Sequence, residues 1–403
     1  MSRRVVVVGA GQAGCSLAAK LRELGHAGAI TLIGDEPEPP YQRPPLSKKY
    51  MLGQFDLERL YLKDKSFWKD HKIELVTGEP VTGIDRAARA VVTEKRQIPY
   101  DIVALTTGAR ARKLPEEVSG GLGGIYEMRT RADADAMAPE FRQGRKALVI
   151  GGGYIGLEVA AVAAQAGLAV TLVEIAPRIL NRVAAPETAN EFRSLHSANG
   201  VAIREGVGVE RLVGEGGRVA GAELSDGQSL ECDFVVVGIG IQPETRLAES
   251  AGLGIDNGIA VDGQCRTSNP AIFAAGDCAS FPFRGVRVRL ESVQNAIDQG
   301  EHAARAIHGA PAAYAPVPWF WSDQFSARLQ IAGLNLGYDR VLTRPGHRPG
   351  GRSIWYFRGD EFLAVDALSD PKAYMQGKRW LEQGVSPAPE KVGDPDFDLK
   401  QIA

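Results

Sequence analysis

Two stretches of this chain repeat one plan, and that repetition constrains the fold more than anything else in it. Residues 4–36, RVVVVGAGQAGCSLAAKLRELGHAGAITLIGDE, run as an apolar strand, a G-x-G-x-x-G turn at Gly9, Gly11 and Gly14, an Ala/Leu-rich helix, and a second strand ending in acid. Residues 146–178, KALVIGGGYIGLEVAAVAAQAGLAVTLVEIAPR, do the same with Gly151, Gly153 and Gly156, and their acid is Glu174. A lone G-x-G-x-x-G is weak. Here each copy follows a strand, opens a helix and has its acid about twenty residues later, the context a dinucleotide site requires. The first glycine permits a tight turn, the second lets backbone approach a pyrophosphate, and the third lets helix lie against strand. The helix N-terminus supplies free N–H groups and about half a positive charge.

Each copy has a later partner strand running into glycine, YDIVALTTGARAR (100–112) and CDFVVVGIGIQPET (232–245), as expected for the centre of a parallel sheet. Two Rossmann-like α/β domains follow. Between 201 and 232 short alternating strands with the turn signals GEGGR and SDGQ predict a small antiparallel layer. TSNPAIFAAGDCA (267–279) predicts one further buried strand, and ESVQNAIDQGEHAARAIHG (291–309) a helix. After APAAYAPVP (310–318) the pattern becomes LQIAGL, RVLTR, SIWYFRG and EFLAVDAL, antiparallel strands closed by a helix at DPKAYMQGKRWLEQG, a separate C-terminal α+β domain. Residues 387–403 are expected to pack as an extended arm or to fray. The expected domains are 1–110 with 238–317, 111–237, and 318–403.

The 403 residues carry 47 basic and 49 acidic side chains, so no overall field favours nucleic acid or an anionic membrane. No apolar run approaches the ~18 residues of a membrane span, and MSRRVVVVGAG reads as a first strand rather than a signal peptide. Cys15, Cys232, Cys265 and Cys278 form no C-x-x-C or zinc spacing, which points to a reducing cytoplasm. The six histidines match no metal spacing either, and surface or helix-terminal roles are expected for them. No metal site is expected.

Aligned on their Thr-Leu residues, the copies place their acids one position apart: Thr171-Leu-Val-Glu174 against Thr31-Leu-Ile-Gly34-Asp35. Glu174 sits where a carboxylate accepts both ribose hydroxyls and repels a 2′-phosphate, which favours NADH over NADPH; Arg178 and Arg182 nearby weaken that discrimination. Glu158 falls two residues into the second helix, where an acid would complement the helix dipole.

Six dispersed segments, PYQRPPLSK, GGGYIGLEVA, VEIAPR, GDCA, ESVQNA and PWFWSDQ, give the chain a resemblance over almost all of 4–380 to the FAD-dependent pyridine-nucleotide reductases of glutathione-reductase fold. Within that group it is similar to the NADH-dependent ferredoxin reductases serving bacterial oxygenases. The resemblance implies that Gly9, Gly11, Ala13 and Gly14 hold the FAD pyrophosphate and Asp35 its adenosine ribose. It sets Lys48 near the flavin N5, Val81 at the adenine end, Arg129 at the FAD side of the domain joint and Asp277 on the ribityl chain, with Val293 offering its N–H to the flavin O2. It gives Gly152, Gly153, Tyr154, Ile155, Gly156 and Glu174 to NADH, with Ile241 and Glu291 towards the nicotinamide. It also pairs Glu158 with Lys48 beside the flavin.

In disulfide reductases of that fold the segment over the flavin carries a redox cysteine pair followed by a lysine. This chain keeps Lys48 but has Pro44, Pro45, Leu46 and Ser47 where the sulfurs would be. Cys15 lacks a partner and is expected to be a small core residue. Paired electrons from nicotinamide therefore need an external one-electron acceptor. The implied partner is a small acidic [2Fe–2S] ferredoxin feeding a cytochrome P450 or a ring-hydroxylating dioxygenase, met by basic side chains among Arg287, Arg289, Lys378 and Arg379. Trp319 and Trp321 are expected on alternate faces of a strand, one shielding the flavin and one packing. Two alternatives stand beside this reading: an NADH oxidase or peroxidase, which needs a peroxidatic cysteine, and a redox-sensing binding protein related to apoptosis-inducing factor.

Overall fold

The computed structural model describes residues 3–310 and 312–402. The chain divides into two compact units: Met1–Gln42, Leu57–Arg110 and Gln242–Pro318 form the first, and Arg43–Asp56, Ala111–Ile241 and Trp319–Ala403 the second.

At the centre of the first unit is the strand Val5–Val8, four β-branched residues that are all buried. It pairs in parallel with Ile30–Ile33 on one side and Ile102–Leu105 on the other, and Ile272–Ala274 and Ile73–Val76 complete a five-stranded parallel sheet. Both faces are covered. Val5 and Val7 pack with Leu17 and Leu21 of the helix Gln12–Glu23 and with Ile307 of the helix Val293–His308, while Val6 and Val8 pack with Ile259 and Phe281. That split follows from the two-residue period of a strand. The two helices approach closely because Gly300 faces Ala13: a Cβ there would lie 2.6 Å from the Ala13 carbonyl oxygen.

The second unit repeats the strand order. Ala202–Glu205, Ala169–Glu174, Lys146–Ile150, Phe234–Val237 and Ile125–Glu127 form its parallel sheet. The outer place that Ile272–Ala274 takes from late in the sequence in the first sheet is taken here by Ile125–Glu127, which precedes its sheet. The antiparallel layer is Val209–Glu215, Arg218–Leu224 and Ser229–Glu231. In the C-terminal part Trp319–Gln324, Ala327–Gly333, Glu361–Leu368, Arg352–Arg358 and Arg340–Pro345 make a five-stranded antiparallel sheet, followed by the helix Pro371–Gln383.

Up to residue 402 the tail packs rather than frays. The Arg344 guanidinium, 8% exposed, donates to the carbonyls of Val392, Asp394 and Phe397 and so fastens the tail to the sheet. No helix among the described residues is long and apolar enough to cross a membrane. Among the same residues no group of three or more His, Cys, Asp or Glu side chains is placed to hold a metal ion.

Candidate active site

The two fingerprints close in the same way. Gly9 has φ +109° and a Cβ there would lie 2.2 Å from the Thr106 carbonyl oxygen; Gly151 has φ +106° and meets the Gly238 carbonyl oxygen at 2.5 Å. The third glycines, Gly14 and Gly156, would each drive a Cβ to within 2.1 and 2.0 Å of the first glycine's carbonyl oxygen. The middle glycines differ: Gly11 and Gly153 meet nothing within 4 Å, and each precedes its helix with no side-chain cap. Open space therefore adjoins the unpaired first-turn N–H groups, including those of Ala13, Tyr154 and Ile155, in both copies. This is room for a phosphate held by backbone, and both cradles fit a dinucleotide.

The one-residue offset of the acids has a steric cause. At the end of the second copy's strand the Glu174 carboxylate accepts the Gly152 N–H at 2.6 Å and the Ala176 N–H at 2.8 Å. The first copy has Ala10 in the place of Gly152 and Gly34 in the place of Glu174. A Cβ at 34 would sit 2.6 Å from the Ala10 methyl, so the acid moves on to Asp35, which is exposed. The Arg178 guanidinium is spent on the carbonyls of Ile179, Asn181 and Ala184.

Of the other candidates in the first unit, Val293 is the first residue of its helix, behind a Ser292 cap that accepts the Asn295 N–H. Asp277 lies in the turn after Ile272–Ala274, Val81 opens the strand Val81–Asp85, and Glu291 is paired with Arg289 at 2.6 Å. Arg289 also donates to the Asn257 and Asp277 carbonyls, and Arg287 to those of Val261 and Ser280. Both guanidinium groups thus bond to the backbone; of the four docking candidates Arg287 and Arg379 are exposed, and Lys378 lies 5.5 Å from the Trp319 ring centre.

In the second unit Ile241 opens the strand Ile241–Pro243, and Arg129 accepts from Arg43 through its carbonyl at 2.8 Å. The Tyr154 side chain turns inwards, its ring 4.8 Å from Phe320, leaving its backbone at the helix N-terminus. Trp319 and Trp321 do not take opposite faces. Residues i and i+2 of a strand share a face; the two rings lie 5.6 Å apart and both are half-buried. Phe320, Ser322 and Gln324 occupy the other face.

Glu158 is a full turn into the helix Tyr154–Gln165 and 4% exposed, so it does not act as a first-turn acid. Its partner is Lys48, in the turn Leu46–Tyr50, whose Nζ lies 2.9 Å from Glu158 Oε1. Ser322 Oγ donates to the same oxygen at 2.7 Å and Ser47 Oγ to Oε2 at 3.2 Å. Burial pushes the Glu158 carboxyl up; attraction to Lys48 and the hydrogen bonds of Lys48, Ser322 and Ser47 oppose it. Ser322 was not singled out by the sequence, and Ser47 only as one of the residues standing where sulfurs would be. The cysteines are all buried and unpaired. Burial pushes the Cys15 thiol up to about 12 and the Cys232 thiol up to about 11.

A chain with two dinucleotide cradles, each at the end of a strand of its own parallel sheet, is an oxidoreductase that works between two nucleotide cofactors. This one belongs to the pyridine nucleotide-disulphide oxidoreductase family, whose model matches residues 3–300; a second model, the reductase C-terminal domain, matches 319–403. It is 42% identical to rhodocoxin reductase of Rhodococcus erythropolis, covering 98% of this chain and 93% of that protein. To putidaredoxin reductase of Pseudomonas putida it is 39% identical over 99% of this chain and 96% of that one. The crystal structure of the covalent putidaredoxin reductase–putidaredoxin complex superposes with a TM-score of 0.95 at 38% identity, covering 99% of this chain and 98% of that chain.

Proposed function

We propose that this protein is an NADH-dependent, FAD-containing ferredoxin reductase supplying electrons to a cytochrome P450 or a ring-hydroxylating dioxygenase in the cytoplasm. When bound, FAD takes an electron pair from NADH and passes electrons singly to a [2Fe–2S] ferredoxin. Residues 1–110 and 238–317 hold FAD, with Gly9, Gly11, Ala13 and Gly14 on its pyrophosphate, Asp35 on its ribose, Val81 at its adenine end and Asp277 and Val293 on its flavin side. Residues 111–237 hold NADH, through Gly152 to Gly156 and Glu174, with Ile241 and Glu291 towards the nicotinamide. Lys48 and Glu158 orient the reacting ring and fix the charge beside it, while Arg129 and Trp319 bound the flavin. The observation that carries this reading is the Lys48–Glu158 pair kept in a segment without sulfur, in a chain whose four thiols are all buried. An oxidase of the peroxidatic type needs an accessible thiolate, which burial denies to all four.

An anaerobic NADH titration of the yellow protein, followed by mixing with a [2Fe–2S] ferredoxin, tests it. One NADH is expected to bleach one flavin, and the ferredoxin to restore the colour rapidly. A polypeptide that takes up no FAD, or a reduced flavin that the iron–sulfur protein leaves untouched, would overturn the reading; persistence of the reduced flavin in air would favour the redox-sensing alternative.

Glu174 is held by two backbone N–H groups and Arg178 is already committed, so a 2′-phosphate meets a fixed negative charge with no free cation beside it from that arginine. NADH is expected to exceed NADPH in kcat/KM by about tenfold or more, the equivalent of ~1.4 kcal/mol. Glu174→Ala should narrow the gap chiefly by raising the NADPH value. A wild-type ratio near unity refutes the preference.

A further inference from the structure

The hydrogen bonds around Glu158 continue beyond Ser322. Ser322 Oγ accepts from Gln324 Nε2 at 3.0 Å, and Gln324 Oε1 lies 2.7 Å from His196 Nε2. His196 stands in the last turn of the helix Pro186–Ala198, where a helix-terminal histidine was expected, but it is entirely buried. Ser322 and Gln324 are no more than 1% exposed. They share the inner face of the strand Trp319–Gln324, with exposed Asp323 between them on the other.

An amide oxygen has no proton to give, so His196 carries its proton on Nε2 and donates. With that tautomer set, every bond in the row points the same way: His196 to Gln324, Gln324 to Ser322, Ser322 to Glu158. Aligned hydrogen bonds polarise one another, and the last one in the row gains most where it meets a charge. A glutamine amide in the middle does not hand a proton along, so the row holds charge and orientation rather than conducting.

We propose that Gln324 and His196 are positioning residues which, through Ser322, hold Glu158 ionised and aimed at Lys48. The proposal rests on the reading that the Lys48–Glu158 pair serves flavin reduction. Two features support it. Burial pushes the His196 imidazole down, which favours the neutral, single-donor form. Among the described residues its buried Nδ1 has no partner, so the row ends there rather than leading to solvent.

Among the described residues the groups facing Glu158 are few. Lys48 comes from the turn Leu46–Tyr50, in which Tyr50 bonds Asp135 and Lys49 lies over the Phe55 ring. The strand Trp319–Gln324 brings Ser322, while its one charged residue, Asp323, lies with Arg328. On the sheet side, Lys146 pairs with Glu231, Glu174 is bound to Gly152, and Phe234–Val237 carries no titratable group. The hydroxyl of Tyr154, one turn back on the same helix, is buried.

The test uses the FAD-loaded full-length protein with Gln324→Met, which keeps side-chain length and removes both polar ends. The carboxyl carbon resonance of Glu158, identified in glutamate-labelled protein by its loss in Glu158→Gln, is followed against pH. The protonation equilibrium is expected to shift about tenfold towards the neutral form, one pH unit upwards. The acid limb of flavin reduction by NADH, measured in stopped flow, should move with it. Ser322→Ala removes the same link without touching Gln324, should shift the carboxyl in the same direction, and carries the test should Gln324→Met not fold. An unmoved Glu158 titration overturns the proposal. If Glu158→Gln instead reduces its flavin at the wild-type rate at every pH, the pair has no part in the transfer and the underlying reading fails, while the carboxyl titration still decides the positioning.

Discussion

Lys48→Met is expected to destabilise the protein by about 3–5 kcal/mol at pH 8, the usual cost of stranding a buried charge, and by much less at pH 5. Glu158 is 4% exposed, and among the described residues its one bonded cation is Lys48. Without it the carboxylate keeps two serine hydroxyls but no charge, and burial then drives its carboxyl further above the ordinary range. The sign follows from linkage. A carboxyl whose folded-state pKa is raised above the unfolded value contributes fully at low pH, and that contribution is lost as pH rises through the folded pKa. Glu158→Gln is expected to be milder, because the Lys48 side chain is 18% exposed and its ammonium can turn towards water. The double variant should recover most of the loss, since two neutral side chains strand nothing. In stopped flow, flavin reduction by NADH should fall about a hundredfold in Lys48→Met, the scale of removing one group that stabilises developing charge. Denaturation midpoints at the two pH values, for both single variants and the double, check the stability argument. A Lys48→Met cost that is independent of pH and no larger than that of Glu158→Gln would show that the pair is not the buried, mutually dependent unit described above.

Much of this was legible because it is local. A G-x-G-x-x-G turn needs its first and third glycines for contacts within a few residues or with the neighbouring strand, as Gly9 against Thr106 and Gly14 against Gly9 illustrate. Those demands are written into spacing, and so were both cradles and the strands they follow. The acid offset was visible as a fact, but its cause was not: Ala10 excludes a side chain at 34 only once two strands lie side by side. The row from His196 to Glu158 had no signal at all. Its members come from residues 158, 196, 322 and 324, and no periodicity links a helix end to a strand well over a hundred residues later. Ile125–Glu127 escaped for a different reason, being three residues long and too short for any pattern. The tryptophans failed through the rule rather than through want of signal, since a two-residue period places Trp319 and Trp321 on one face. The tail's composition left a packed arm and a free end both open, and a single buried arginine, Arg344, which collects its carbonyls, decides for packing.

Asp366→Asn should stabilise the protein by up to about 3 kcal/mol above pH 7 and leave it nearly unchanged at pH 4. Asp366 lies on the strand Glu361–Leu368, 1% exposed, and accepts the hydroxyl of Thr188 at 2.7 Å and that of Tyr356. Tyr356 in turn accepts the Ala185 N–H at 3.0 Å, so the group joins the C-terminal sheet to the start of the helix Pro186–Ala198. No salt bridge to Asp366 is formed among the described residues, and burial pushes its carboxyl up to about 6 from an ordinary 3.8, against the pull of the two hydroxyls. The folded state therefore binds a proton that the unfolded state has already released between those two values, and stability declines as pH rises through that window. At ~1.4 kcal/mol for each pH unit the loss reaches about 3 kcal/mol above pH 6. An asparagine can offer the same acceptor oxygen to both hydroxyls and never ionises, so the variant should be flat across the window while the wild type falls. Urea midpoints of the FAD-loaded protein between pH 4 and 8 decide it. Parallel curves for the two proteins would mean that Asp366 stays ionised throughout, satisfied by Thr188 and Tyr356 alone, and that two neutral donors suffice to hold a buried carboxylate at this joint.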